Sequence, residues 1–249
     1  MNILVSGING QMGKEVALLC KSGYRGANLA GGVDVIKGDD ESVTVYGSFN
    51  DIGDLKIDCI IDFSHHTCAP SLLDFATKRG IPTVVATTAH TEDELAAIKC
   101  AAEKIAVFFS ANMSLGVALL VELAKTAALA MPDAEIEIIE KHHNRKLDAP
   151  SGTALMISSA IKEVRPTAYE SLGRSGHGKR SPDEIGIHAI RMGNIVGEHE
   201  VIIGTKSQTI TLKHEAHSRS LFAEGALAAA AFIVTRPAGL YDMKSLVGG

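Results

Sequence analysis

Between residues 2 and 112 short apolar runs alternate with amphipathic stretches, and this rhythm constrains the fold more than any other feature of the chain. "NILVS", "NLAGGVD", "IDCIIDFS", "PTVVATT" and "IAVFFS" read as strands. "QMGKEVALLCKSG", "CAPSLLDFATKRG" and "TEDELAAIKCAAEK" lie between them and carry apolar residues at helical spacing. Strands that alternate with helices predict a parallel sheet covered on both faces, because each helical crossover returns the chain in the same direction.

The rhythm changes after Asn112. "SLGVALLVELAKTAALAM" predicts a long helix ended by Pro132, and "AEIEIIE" alternates at period two, as a half-buried strand does. "ALMISSAIKEV" follows as a helix. Residues 171–184, "SLGRSGHGKRSPDE", are polar and glycine-rich and read as a loop. "IGIHAIRM", "NIVGEHEVIIG" and "SQTITLKHEA" are then three strand candidates with no helix between them, which predicts an antiparallel or mixed sheet. A last helix is expected from Ser218 to Val234. At 249 residues the chain is long enough for two domains. The fold class expected is α/β: a parallel α/β domain joined to an α+β domain with an open mixed sheet.

The formal net charge of -5 disfavours nucleic acid as a partner, since that requires a basic face. No apolar run reaches the length of a membrane span. The opening "MNILVSGING" lacks the basic flank and long apolar stretch of a signal peptide, so a cytoplasmic location is expected. The cysteines (Cys20, Cys59, Cys68 and Cys100) lack paired spacing and read as free thiols. His65, His66 and Cys68 are close in sequence, but no paired ligand motif supports them, and no metal is expected.

Two segments carry candidate chemistry. "GINGQMG" places Gly7, Gly10 and Gly13 between a strand and a helix, where backbone N–H groups and the helix dipole suit a pyrophosphate. Asp34, 21 residues beyond Gly13 at the end of the next strand, suits the ribose hydroxyls of an adenosine. Asn9 stands where a G-x-G-x-x-G pattern would have its middle glycine. Two later strand ends, Ala86, Thr87 and Thr88, then Ser110, Ala111, Asn112 and Met113, should meet the same crevice. The second segment, "EKHHNRKLDAPSGTA", joins His142, His143 and Lys146 to a Pro-Ser-Gly-Thr turn. There Ser151 or Thr153 can start a helix whose N-terminus favours an anion. Together these groups suit a small carboxylate; the bland alternative is a helix cap beside exposed polar residues.

That run resembles the signature of the 4-hydroxy-tetrahydrodipicolinate reductase (dihydrodipicolinate reductase) family, E-x-H-H-x-x-K-x-D-A-P-S-G-T-A. "GINGQMG", "IDFS", "ATT", "SANMSLGV", "GEHEV" and "GLYDM" follow in family order. The resemblance implies an oxidoreductase of lysine and diaminopimelate biosynthesis with a Rossmann-like N-terminal domain. Its reaction would be NAD(P)H-dependent reduction of a cyclic dicarboxylate, with loss of water. It implies His142 and Lys146 as catalytic residues, with His142 the proposed proton donor and Lys146 the other candidate. His143, Gly152 and Thr153 would bind substrate, and Gly7, Ile8, Asn9, Gly10, Gln11, Met12, Asp34 and the two later strand ends would bind the cofactor. It further implies a homotetramer built through the second domain. Residues 1–113 and 216–249 would hold the dinucleotide, and residues 114–215 the substrate and the subunit contacts. Some members follow the ribose-binding acid with arginine; here Val35 does, and Lys37 is the nearest cation, so NADH is expected to serve at least as well as NADPH. Two other readings compete: a different nicotinamide enzyme, such as an amino-acid dehydrogenase, and a non-enzymatic NAD-sensing regulator.

Overall fold

The computed structural model describes residues 1–36, 38 and 42–248. They divide into two compact units, Met1–Leu115 with Ser220–Gly249, and Gly116–Arg219. The seams expected from sequence, at 113/114 and 215/216, fall two to four residues earlier.

The first unit is built on a seven-stranded sheet in which every pairing is parallel. Its strands are β1 (Asn2–Ser6), β2 (Asn28–Val33), β3 (Val45–Tyr46), β4 (Cys59–Asp62), β5 (Thr83–Val85), β6 (Ala106–Phe109) and, from the far end of the chain, β12 (Gly239–Tyr241). Their spatial order is β12-β6-β5-β4-β1-β2-β3. Strands run outward in both directions from the β1/β4 pair, so the chain reverses its winding there, which is where open α/β sheets leave a crevice. Helix α1 (Gln11–Lys21) starts at Gly10, which has no side chain to cap it. Helix α2 (Ala69–Arg79) has proline in its first turn and ends on Gly80 with φ of 64°. Helix α3 (Glu92–Ala102) opens on a capping box, Thr91 with Glu94. The strands are wholly apolar at their centres: Ile3, Leu4, Val5, Ile60, Ile61 and Val84 are fully buried. Helix α6 (Ser220–Ile233) packs against α1, and short α7 (Met243–Val247) closes the chain.

The second unit holds a five-stranded sheet in the order β11-β10-β7-β9-β8. The strands are β7 (Glu135–His142), β8 (Tyr169–Leu172), β9 (Glu184–Arg191), β10 (Gly197–Gly204) and β11 (Thr209–Ala216). β7 pairs parallel with β9 and antiparallel with β10, so the sheet is mixed, as the sequence predicts. Helices α4 (Leu115–Ala130) and α5 (Gly152–Val164) cover one face, burying Leu120, Ala124, Ile157 and Ile161 against Ile136, Ile138, Val201 and Ile203. The alternation expected in "AEIEIIE" is present along β7, where buried residues alternate with exposed or partly buried ones. On the opposite face Lys141 pairs with Glu198 at 2.9 Å, and Glu137 pairs with Arg180 and with His188.

Four elements differ from the sequence reading. β3, β12 and α7 are too short to show a period. Ser171 and Leu172 belong to β8 and not to a loop, because an edge strand pairs through its backbone and needs no apolar alternation. Among the described residues no helix is long and apolar enough to cross a membrane.

Candidate active site

In the first unit the predicted cofactor residues fall just beyond the carboxyl ends of parallel strands, with Gln11 and Met12 in the first turn of α1. Gly7 directly follows β1 with φ of 76°, and a Cβ there would lie 2.7 Å from the Ser64 Cα, so only glycine fits. A Cβ on Gly13 would overlap the Gly7 carbonyl, which is how α1 comes so close to the turn. The Asp34 carboxylate spans the two strand ends: Oδ2 accepts from the Asn9 N–H and Oδ1 from the Ile36 N–H, each at 2.9 Å. The Asn9 amide donates to the Ile36 carbonyl at 2.6 Å. The departure from the glycine pattern thus has a use, since Asn9 ties the turn to the end of β2. Lys37, the cation nearest Asp34 in sequence, lies outside the described residues.

A cavity of about 470 Å³ opens here, lined by Gly7, Gly10, Asp34, Phe63, Ser64 and His65 among others. A second, of about 330 Å³, is lined by Ser64, His66, Ala86, Thr87, Thr88 and Ala89 among others. Fully buried Asp62 joins the ends of β4 and β5 by accepting from Ser64 Oγ at 2.6 Å and Thr87 Oγ1 at 2.7 Å. Ser110 Oγ donates to the Asn112 carbonyl at 2.7 Å and shapes the turn after β6. Ile8 and Met113 are buried, at 5% and 2% exposure, so their side chains are not open to a ligand. Gln11 and Ala111 are exposed, and Met12 is half-buried. A cradle only glycine can form, a helix start without a side-chain cap, and a carboxylate one strand away fit a dinucleotide. His65 and His66 are engaged by Thr67 and Glu94, and no group of three or more metal-ligating side chains that could hold an ion occurs among the described residues.

In the second unit β7 delivers His142 to the edge of a polar cluster. His142 is 9% exposed, and its Nδ1 lies 2.6 Å from Glu140 Oε2. Glu140 also accepts two hydrogen bonds from Arg191, at 2.7 and 2.6 Å, and one from the Ser151 N–H at 3.0 Å. Burial raises the pKa of Glu140, but Arg191, His142 and the Ser151 N–H together hold it below the usual carboxylate range. Of the two candidate helix starters, Ser151 and not Thr153 caps α5: its Oγ accepts from the Ala154 N–H and meets His199 Nε2 at 3.0 Å. Burial first, then the charge of His142, pushes His199 down to about 4, so it is neutral at physiological pH. Gly152 is the first residue of α5 with open space around its Cβ position, and Thr153 follows it in the first turn.

Lys146 and His143 complete the cluster. Lys146 Nζ lies 2.8 Å from Asp148 Oδ1. That contact is the main reason the Asp148 carboxyl sits below its ordinary range. His143 is held below the ordinary histidine value by partial burial and then by Arg145, Arg219, His142 and Lys146. Four positively charged or protonatable groups therefore act on one point, a local field that favours an anion in a chain whose net charge is negative.

Family models match both parts of the chain, "Dihydrodipicolinate reductase, N-terminus" over residues 1–113 and "Dihydrodipicolinate reductase, C-terminus" over residues 116–247. The chain belongs to the dihydrodipicolinate reductase family. It is 44% identical to the 4-hydroxy-tetrahydrodipicolinate reductase of Caldanaerobacter subterraneus subsp. tengcongensis, covering 99% of this chain and 98% of that protein. It is 39% identical to that of Clostridium tetani, covering 99% and 97%. Among solved structures it is similar to a dipicolinate-bound dihydrodipicolinate reductase from Paenisporosarcina sp. TG-14, with a TM-score of 0.83, 25% identity and 98% of each chain covered. A diaminopimelate (DAP) dehydrogenase from C. glutamicum, at 13% identity and a TM-score of 0.59, shares the fold alone.

The structure thus gathers His142, His143, Lys146, Gly152 and Thr153 within one unit, at the end of β7 and the start of α5. It adds Glu140, Arg191 and His199, to which the sequence reading assigns no role. Glu140 could have been found, because residues 140 and 142 share one face of a period-two strand. Arg191 and His199 require the sheet register, which pairs His142 with Arg191 and Glu140 with His199.

Proposed function

We infer that this chain reduces 4-hydroxy-tetrahydrodipicolinate to tetrahydrodipicolinate with loss of water, using a pyridine nucleotide, in lysine and diaminopimelate biosynthesis. The observation that carries the reading is the cationic cluster around His143 beside the α5 N-terminus, in a chain of this family. Dipicolinate, bound in the Paenisporosarcina relative, is a flat ring with two carboxylates, the charge and size such a cluster suits.

The bound cofactor supplies a hydride to the ring. The residues of the chain bind, orient and protonate. Lys146 exchanges its Asp148 partner for a substrate carboxylate; both side chains of that pair are partly exposed, so the exchange costs little. His143, neutral and set among cations, donates a hydrogen bond to a carboxylate oxygen. The N–H groups of Gly152 and Thr153 lie at the positive end of the α5 dipole and hold the same anion. His142 gives a proton as the hydride arrives, and Lys146 is the second group able to do so.

NADH serves at least as well as NADPH, because Asp34 accepts from ribose hydroxyls and opposes a phosphate placed there. Residues 1–113 and 216–249 bind the dinucleotide, and residues 114–215 bind substrate and carry the subunit contacts of a homotetramer. The face of the second sheet opposite α4 and α5 supports that assembly: it carries Ile139, Ile190 and Ile202 among paired charges. The enzyme is cytoplasmic and works without a metal.

Incubation with NADH and freshly generated substrate tests the reading. Loss of reduced-nicotinamide absorbance should require both. Oxidation that proceeds instead with an amino acid and NAD would identify an amino-acid dehydrogenase. Binding of NADH without turnover of either would identify a sensor.

A further inference from the structure

Glu140 is fully buried at the end of β7, and its four hydrogen-bond contacts come from three separate places. His142 lies on the same strand, Arg191 ends the neighbouring strand β9, and Ser151 starts α5. Arg191 reaches further, donating to the Asp148 carbonyl at 2.6 Å in the loop that carries Lys146. An ionised carboxylate only accepts hydrogen bonds, and its contacts keep Glu140 ionised despite burial. His142 Nδ1 therefore carries a hydrogen, and Nε2 is the nitrogen left to gain or give a proton. A Cβ on Gly197 of β10 would stand 3.1 Å from that Nε2, so the glycine keeps its side of the ring open. His142 is also faced by His199 from β10, with a ring separation of 5.2 Å, and it acts together with Lys146 on the charge of His143.

We propose that Glu140 is the positioning residue of the reductase reaction: it holds the hydrogen of neutral His142 on Nδ1, so that Nε2 is the nitrogen that takes up and delivers the proton. Through Arg191 and the Ser151 N–H it holds the Lys146 loop and the start of α5 in register with that nitrogen. The proposal rests on the reading of His142 as proton donor. Carboxylate–histidine pairs that fix which nitrogen reacts lose much of their activity when the carboxylate becomes an amide, because the amide N–H can turn the ring's hydrogen to the other side.

The test combines nitrogen NMR of histidine-labelled protein with steady-state kinetics on wild type, Glu140→Gln, Gly197→Ala and His142→Gln. Neutral wild-type His142 should show the Nδ1–H tautomer. Glu140→Gln should shift it toward Nε2–H and lower kcat by roughly ten- to a hundredfold. Glu140→Gln that keeps the wild-type tautomer overturns the proposal. So does Glu140→Gln with kcat within about twofold of wild type while His142→Gln is impaired. If His142→Gln itself turns over normally, the donor reading has failed on its own, and the tautomer spectrum alone decides whether Glu140 positions the ring. Glu140→Gln leaves Arg191 without its anion and can fail to fold. Gly197→Ala then reads the same geometry from the other side of the ring. It should keep the Nδ1–H tautomer and lower kcat by about tenfold, whereas a wild-type kcat overturns the assignment of Nε2.

Discussion

Replacing Lys146 by alanine should leave the fold intact and reduce kcat/KM by roughly two to four orders of magnitude. The structural cost is small. The Lys146–Asp148 pair is 24% and 57% exposed, and pairs of that kind contribute about 0–1 kcal/mol to stability. The catalytic cost is larger, because in the proposed mechanism the ammonium anchors a carboxylate in the transition state and is one of two groups able to deliver the proton. Losing both contributions costs on the order of 3–5 kcal/mol. At about 1.4 kcal/mol per decade this gives the stated range. The assay is NADH oxidation at saturating cofactor with substrate varied, alongside a thermal midpoint to show that the variant is folded. Asp148→Asn is the control: it frees Lys146 for the substrate and should leave kcat/KM unchanged or raise it. A folded Lys146→Ala within about tenfold of wild type would refute the assignment.

Four further outcomes are expected. His142→Ala should chiefly lower kcat and His143→Ala chiefly raise KM, and the reverse pattern in steady-state kinetics would exchange their roles. Paired kcat/KM measurements should show NADH at least equal to NADPH, and a preference for NADPH above about tenfold, worth some 1.4 kcal/mol, would show that a cation outweighs Asp34. Asp34→Ala should weaken NADH and relatively favour NADPH; because it also frees the Asn9 and Ile36 N–H groups, some loss with both cofactors is expected. Stability should fall with acid between the ordinary histidine value of 6.5 and about 4, through His199. In that window the unfolded chain binds the proton that the buried ring refuses, so stability rises with pH. The share of His199 is on the order of 3 kcal/mol, and denaturant midpoints of His199→Gln against pH should show a shallower slope.

How far the sequence reaches depends on the range of the interaction. The βα rhythm is a local signal, and it places β1, β2, β4, β5, β6 and their helices correctly because these strands, β2 over its second half, are buried on both faces and read as plain apolar runs. β3, β8 and β12 have four residues or fewer and exist only because a neighbouring strand offers its backbone. The run from Glu140 to Ala154 is contiguous, so its residues could be read together. Arg191 and His199 enter the cluster through β9 and β10, and no local pattern announces which residues will lie opposite residues 142 and 140. The pairing of Lys146 with Asp148 depends on how the loop closes after His143, which residue spacing does not determine. Asn9 is the opposite case: a visible departure from a glycine pattern whose use appears only once the turn meets Ile36.

Transfer of deuterium from reduced cofactor labelled at its reactive carbon tests the central claim most directly. Incubated with freshly generated 4-hydroxy-tetrahydrodipicolinate, the enzyme should give tetrahydrodipicolinate that carries one deuterium and has lost one water, read by mass spectrometry of the product. Oxidation of the cofactor without deuterium in that product, or an unreduced ring recovered from a complete reaction mixture, would contradict it.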